Sequence, residues 1–356
     1  MQSLRVLRVA VLALFWSAAL GAEERSFVPE GETAAEPYVI ERPAEIAAGK
    51  RYPLIVFLHG RGGDHKKQWL MPPLERFRQL ASQRGYMLLS PHLGSEHWMN
   101  ARARRVLCQL LDLILKAEPV DRQRVFVMGM SMGGGGALTF AAHHPDRVRG
   151  VCDIFGVTDF TQFYNSKRYQ ESLSKAFGGT PETAPEVFKA QSAMASIAAF
   201  AKIPVFVLHG DQDTVVPTEH SRQFVKALMA PGYDVVYREV KGGKHQSELI
   251  SGHEEEILAF FDAVGGEAYD PRLAFAAGRR NLALGRPYQY SAEPLYRLTE
   301  DAGDLTDLTD GALSKRRDER IWFESHCVAW YGEPGANIVI DLGTVEGIGE
   351  ITGRFL

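Results

Sequence analysis

Three residue types, far apart along the chain, could together perform acyl transfer: Ser131, Asp213 and His245. Ser131 sits in the run RVFVMGMSMGGGG, Arg124 to Gly136, where an apolar stretch passes directly into a glycine-rich turn. Gly129, Met130, Ser131, Met132 and Gly133 spell GxSxG, the spacing that puts a serine at the apex of a sharp strand-to-helix turn. Side chains in place of the two glycines would collide with neighbouring backbone, so hydrogen at both positions lets Oγ stand clear. Ala137 to His144, ahead of Pro145, reads as the helix that follows. Its N-terminus would aim unpaired N–H groups and partial positive charge at the serine, which suits a developing oxyanion.

A serine hydroxyl is a weak nucleophile on its own and needs a base, which in turn needs an orienting acid. The elements that must position these groups are strands alternating with helices. Tyr52 to Leu58 (YPLIVFL) and Ile203 to Leu208 (IPVFVL) are continuous apolar runs of the kind found in strands covered on both faces. Tyr38 to Ile40, Tyr86 to Ser90, the Val125 run, Val148 to Phe155 and Val235 to Val240 read as further strands. Leu74 to Gln83, Arg102 to Ala117, Ser221 to Met229 and Glu254 to Val264 read as helices, and Phe160 to Phe200 as a helical and loop stretch that is either a cap over the site or, through FGGTPETAPEVF, a surface excursion. The alternation predicts an α/β fold with a mostly parallel sheet covered on both faces. In such sheets the site lies beyond the carboxyl ends of the strands. Asp213 follows IPVFVL within HGDQD, and His245 follows the Val240 strand within GGKH. The chain order serine, aspartate, histidine is the one this kind of sheet imposes on a triad.

HGRGG, GMSMGG, HGDQDTVVP and GGKH, in that order over about Pro37 to Val264, resemble the α/β-hydrolase superfamily. The resemblance is to its secreted esterases of the dienelactone-hydrolase and prolyl-oligopeptidase-like type, near the feruloyl, acetyl-xylan and polyhydroxybutyrate-depolymerase groups. It implies Ser131 as nucleophile, His245 as base and Asp213 as acid, with oxyanion donors at the backbone N–H of Met132 and Arg61. It implies no metal or organic cofactor. Asp211 is the nearest rival acid, with Asp153 and Asp159 next; His143, His144, His220 and His253 rival His245 but lie in or beside helices. His59 reads as a brace for its loop. Trp69, His97 and Trp98 are candidate substrate contacts, with packing as the competing role.

The ends of the chain read differently. Arg5 and Arg8 precede the apolar stretch Val9 to Leu20, small residues and then Glu23 and Glu24, which is the grammar of an export signal over 1–22. The stretch is shorter than a membrane span requires, so the expectation is a mature protein in the periplasm or outside the cell, without a membrane span. Residues 265–280 read as a linker, and 281–356 as short β runs broken by turns. NLALGRPYQYS, LTDG, IWFE, VAWYG and IVIDLG resemble the discoidin-like, coagulation-factor 5/8 type C domain, a galactose-binding-like jelly roll, with fewer strands than such a domain needs. That resemblance implies a glycan partner; Asp304, Asp307 and Asp310 read as a solvated turn rather than a calcium loop.

Composition fits these readings. The 356 residues are 45% hydrophobic and 24% charged, and the net charge of −4 offers no surface for nucleic acid or anionic membrane. Cys108, Cys152 and Cys327 do not make a disulfide framework; the first two read as buried thiols, with a bridge between them as the alternative. The expected activity is therefore that of an exported serine esterase, with acetyl or feruloyl esters of polysaccharide as the expected substrates. A serine peptidase, lipase or polyester depolymerase of the same superfamily is the alternative, and a glycan-binding protein with an inactive hydrolase domain is the reading from another class.

Overall fold

The strand Tyr52–Leu58 (β3) is buried at all seven positions, and the sheet is built outward from it. The structure is a computed structural model that describes residues 22–43, 45–231 and 233–266, with two further strands, Tyr288–Tyr290 and Ile338–Ile340. The chain divides into two units, Met1–Met229 with Tyr233–Ala277, and Ala230–Gly232 with Gly278–Leu356.

In the first unit the strands are Ala22–Phe27 (β1), Glu36–Glu41 (β2), β3, Met87–Pro91 (β4), Val120–Met130 (β5), Gly150–Ile154 (β6), Val205–Gly210 (β7) and Val235–Val240 (β8). They form one eight-stranded sheet in the order β1-β2-β4-β3-β5-β6-β7-β8. From β4 to β8 neighbouring strands are parallel, and β2 and β1 add on antiparallel at one edge. Alternate residues point to opposite faces, as the pleat requires. Leu54, Val56, Leu58, Val125, Val127, Val205 and Val207 pack with helices Ala101–Ala117 (α2), Met132–His143 (α3) and Glu219–Met229 (α7). Ile55, Phe57, Phe126, Met128, Phe206 and Leu208 pack with Pro72–Gln83 (α1) and Glu254–Gly265 (α8). Burying each such side chain stabilises the fold by about 1.5–3 kcal/mol. Cys108 and Cys152 are free thiols, the second buried.

The sheet starts earlier than Pro37, where the apolar pattern begins. β1 reads AEERSF and carries no apolar alternation; it is held by its pairing to β2 and by charge. Arg25 contacts Glu23 at 2.7 Å and Glu118 at 3.0 Å, and Arg42 joins the same two carboxylates at 2.9 and 2.6 Å.

A second correction concerns α3, which begins at Met132 rather than Ala137 and takes Gly133 to Gly136 into its first turns. Glycine in a helix costs up to about 1 kcal/mol each, a penalty that hid this start. Close packing offsets the cost: ten of the twelve α3 residues are buried, and a Cβ at Gly133 would lie 1.9 Å from Leu58 O. The excursion between β6 and β7 folds as helices Phe160–Asn165 (α4), Gln170–Phe177 (α5) and Pro185–Gln191 (α6), followed by the 3-10 stretch Ala193–Lys202. Its aromatic core, Phe160, Phe163, Phe177 and Phe188, packs with Trp98 and with Met132, the residue after Ser131.

In the second unit, Tyr288–Tyr290 pairs antiparallel with Ile338–Ile340. The rest of the expected β module, with Asp304, Asp307, Asp310 and Cys327, lies outside the described residues, as do residues 1–21 of the expected leader, whose last residue, Ala22, opens β1.

The close contact at Gly133 predicts that Gly133→Ala costs at least about 4 kcal/mol or prevents folding, a size reserved for unrelieved backbone clashes. Gly178→Ala, at the left-handed cap of α5 with open space around it, should cost only about 1 kcal/mol. Thermal melts of the two variants check this, and equal melting temperatures would contradict it.

Candidate active site

Ser131 alone makes the turn between β5 and α3, at φ 57° and ψ −119°. A non-glycine residue there holds about 1–3 kcal/mol of backbone strain. The surroundings fix it: Ser131 N–H donates to Ile154 O at 2.9 Å, and Gly129 and Gly133 press together so closely that a Cβ at Gly129 would lie 2.4 Å from Gly133 C.

The loops after β7 and β8 are clasped by a similar contact, since a Cβ at Gly210 would lie 2.3 Å from Gly243 C. Gln212 N–H donates to Gly243 O at 2.8 Å, and Gly242 N–H donates to Asp211 Oδ1 at 2.6 Å. Asp211 therefore holds the turn. Asp213, from the first loop, faces His245, from the second, with Oδ2 2.6 Å from Nδ1. His245 Nε2 lies 2.8 Å from Ser131 Oγ. Asp213 Oδ1 accepts from Val215 N–H and Val216 N–H at 2.7 and 2.9 Å. Burial alone would raise the pKa of Asp213, but hydrogen bonds from His209 and His245, the charge of His245 and the Val215 N–H hold its carboxyl well below the usual range. The ionised carboxylate keeps the proton on Nδ1, which leaves the Nε2 lone pair for the Ser131 hydroxyl.

Two main-chain N–H groups, at the elbow and in the loop after β3, have no hydrogen-bond partner among the described residues. Met132 opens α3, so its N–H has no carbonyl four residues back within the helix. In the loop after β3, Gly60 N–H donates to Gln68 Oε1, Gly62 N–H to Ser95 O at 2.7 Å and Gly63 N–H to Gly60 O at 3.0 Å. Arg61 N–H has no partner among the described residues. His59 braces this loop, its ring nitrogens at 2.8 Å from Gly60 O and 2.6 Å from His92 O. The Arg61 guanidinium pairs with Glu96 and stacks 4.2 Å from the Tyr169 ring centre, tying the loop to the helical excursion.

Residues 79–267, just over half of the chain and including all three of these side chains, match the model of the prolyl oligopeptidase family. The chain belongs to the prolyl oligopeptidase family. It is 36% identical over 149 residues to esterase LipC of Mycobacterium tuberculosis, covering 37% of each chain. It is 30% identical over 146 residues to esterase LipQ of the same organism, covering 39% of this chain and 34% of that one. The matched region thus spans about a third of the length of these curated relatives. Among solved structures, an S-formylglutathione hydrolase from Agrobacterium tumefaciens superposes with a TM-score of 0.58 at 18% identity, over 71% of this chain and 99% of that one. That likeness shows a shared α/β-hydrolase fold.

In this prolyl oligopeptidase-family chain the rival histidines do not reach Ser131. His143 bonds Ala190 O, His144 lies 3.6 Å from Cys108 Sγ, and His253 faces Glu256. His220 is buried among apolar groups, and desolvation lowers it to about 4.

The three candidate substrate contacts are packed away instead. Trp69 is fully buried, lies against Phe57 and donates to Glu41 Oε1 at 2.8 Å, where Arg78 also bonds. Trp98 is buried beside Phe160 and Phe163 and donates to Ser172 Oγ at 2.7 Å. His97 accepts from Met99 N–H at 3.0 Å and packs edge-on to His59. Packing, the role weighed against substrate contact in the sequence, is the one the fold gives them. Two residues that the sequence left without a role do adjoin the site: Phe155, whose ring centre lies 4.6 Å from that of His245, and His209, 3.2 Å from Asp213 Oδ2. Both lie at strand ends, the one signal that pointed to them.

Asp153, a rival acid by sequence, lies inside the sheet on β6, fully buried, with neither oxygen hydrogen-bonded among the described residues. It presses on the elbow helix, since a Cβ at Gly134 would lie 2.3 Å from its Oδ1. Burial pushes it up to about 7, against an opposing pull from His209. An acid raised in the fold contributes its full stability below the ordinary aspartate range and loses it as pH rises toward that value. Asp153→Asn should therefore gain on the wild type by about 2–4 kcal/mol in urea unfolding between about pH 4 and about pH 8. A gap independent of pH would contradict the assignment.

Proposed function

We propose that this chain is a serine hydrolase that cleaves carboxylic esters through an acyl-enzyme. The observation that carries the reading is the continuous relay from Ser131 Oγ to His245 Nε2 at 2.8 Å and from His245 Nδ1 to Asp213 Oδ2 at 2.6 Å, built on a strained elbow. As Ser131 Oγ attacks the ester carbonyl, His245 Nε2 takes the hydroxyl proton and Asp213 stabilises the imidazolium. The carbonyl oxygen gains charge and is met by Met132 N–H and Arg61 N–H, each donor worth about 3 kcal/mol of barrier. When the tetrahedral species collapses, the C–O bond to the alcohol breaks and His245 returns its proton to the departing oxygen. Water then attacks the acyl-serine by the same route, giving the free acid and restoring Ser131.

The esterase names of the two Mycobacterium relatives support the ester reading. Membership of the prolyl oligopeptidase family favours a second reading, cleavage of aminoacyl amides by the same relay, with an amine as leaving group. Within the ester reading we infer export, and acetyl or feruloyl esters of polysaccharide as substrates. The leader grammar and the β texture of 281–356 support this. An inactive hydrolase fold serving only to bind glycan is disfavoured by the assembled relay.

The test is turnover by the purified chain of p-nitrophenyl acetate and butyrate, methyl ferulate, acetylated xylan and an aminoacyl anilide. Ester turnover is expected to exceed anilide turnover, and Ser131→Ala to lower kcat roughly 10⁴-fold or more with little change in KM. Faster anilide cleavage would select the peptidase reading. Equal rates in wild type and variant would remove the nucleophile, and xylan retention without turnover would favour the binding protein.

A further inference from the structure

We propose that His209 is a positioning residue for Asp213, donating its Nε2–H to the same carboxylate oxygen that bonds His245, with Ser221 fixing the ring that presents it. The proposal rests on the serine-hydrolase reading and adds two side chains to its relay.

His209 is the penultimate residue of the strand β7, four residues before Asp213, and is fully buried. Both ring nitrogens have partners. Nε2 lies 2.9 Å from Val216 O, and a carbonyl can only accept, so Nε2 carries hydrogen. The same nitrogen is 3.2 Å from Asp213 Oδ2, so its N–H, aligned on Val216 O, lies close enough to stabilise the carboxylate as well. Nδ1 lies 2.7 Å from Ser221 Oγ, on the buried side of α7. In the neutral ring Nδ1 accepts, so the Ser221 hydroxyl donates and locks the tautomer that points N–H at Asp213.

Asp213 is then gripped at both oxygens. Oδ1 takes the N–H groups of Val215 and Val216, and Oδ2 takes His245 Nδ1 at 2.6 Å with His209 Nε2 3.2 Å away. This grip does two things. It stops the carboxylate from rotating as His245 gains and loses charge, and it divides the negative charge of Oδ2 between two imidazoles. The other ionisable groups acting on His209 are Asp153 from β6, His220 from α7 and Glu239 from β8. His209 and Ser221 are fully buried and so out of reach of substrate, and the effect should fall on kcat rather than KM.

The experiment compares wild type, Ser131→Ala, Ser221→Ala, His209→Leu and His209→Gln on p-nitrophenyl acetate, with active sites counted by fluorophosphonate titration. Losing a hydrogen bond to a charged group predicts a kcat roughly tenfold lower in Ser221→Ala and roughly 100-fold lower in His209→Leu, with KM unchanged. The acid limb of the kcat/KM profile should move to higher pH in both, because the undivided charge of Asp213 rests more fully on His245. His209→Gln keeps an N–H donor and should recover most of the loss. Rates per titrated site within twofold of wild type, with an unmoved acid limb, would overturn the role. If His209→Leu does not fold, the same two readouts on Ser221→Ala and His209→Gln decide it. A wild type that turns over no ester, or an active Ser131→Ala, would instead bring down the serine-hydrolase reading and this role with it.

Discussion

One backbone contact governs the layout of this molecule: the first turn of α3 lies directly on the end of β3, with no room for a methyl group between them. A Cβ at Gly133 would lie 1.9 Å from Leu58 O and 2.7 Å from His59 O, and one at Gly129 would lie 2.7 Å from Leu58 O. Close packing of this kind tolerates no added volume. Because His59 begins the loop that carries Arg61, the same contact ties that loop to the elbow. The nucleophile is thus set by main chain, at no cost in side-chain entropy when substrate arrives.

The acid and base depend on a second contact of the same type, Gly210 against Gly243, which draws together the loops that carry Asp213 and His245. Side chains then finish what the backbone begins. Asp213 is nearly buried, which by itself would favour its neutral form, yet the N–H groups around it keep it ionised. Phe155 lies against the His245 ring on the remaining side. The relay is accordingly oriented before any ligand binds.

Much of this was legible in the sequence because its signals are local. GxSxG after an apolar strand marks Ser131, and the positions just past IPVFVL and Val240 mark Asp213 and His245, since each motif records a strand end. What was not legible depends on long-range convergence. β1 is held by ion pairs to Glu118 and Arg42, partners distant in sequence, so its own residues show no strand period. The start of α3 was hidden by glycines that are unfavourable for a helix and indispensable for its packing. Trp69, His97 and Trp98 occupy loops by sequence, and only the layers above them show that they are core. His209 sits inside the very motif that supplies Asp213, but nothing in the motif says that its ring turns back toward the acid.

The relay and its oxyanion donors are tested most directly by a crystal structure of the chain after reaction with an ethyl p-nitrophenyl alkylphosphonate, whose phosphorus mimics the tetrahedral intermediate. The account predicts a covalent bond from Ser131 Oγ to phosphorus, a phosphoryl oxygen about 3 Å from both Met132 N and Arg61 N, and His245 still bonded to Asp213. A phosphoryl oxygen turned away from those two nitrogens, or phosphorus attached to any other residue, would contradict it.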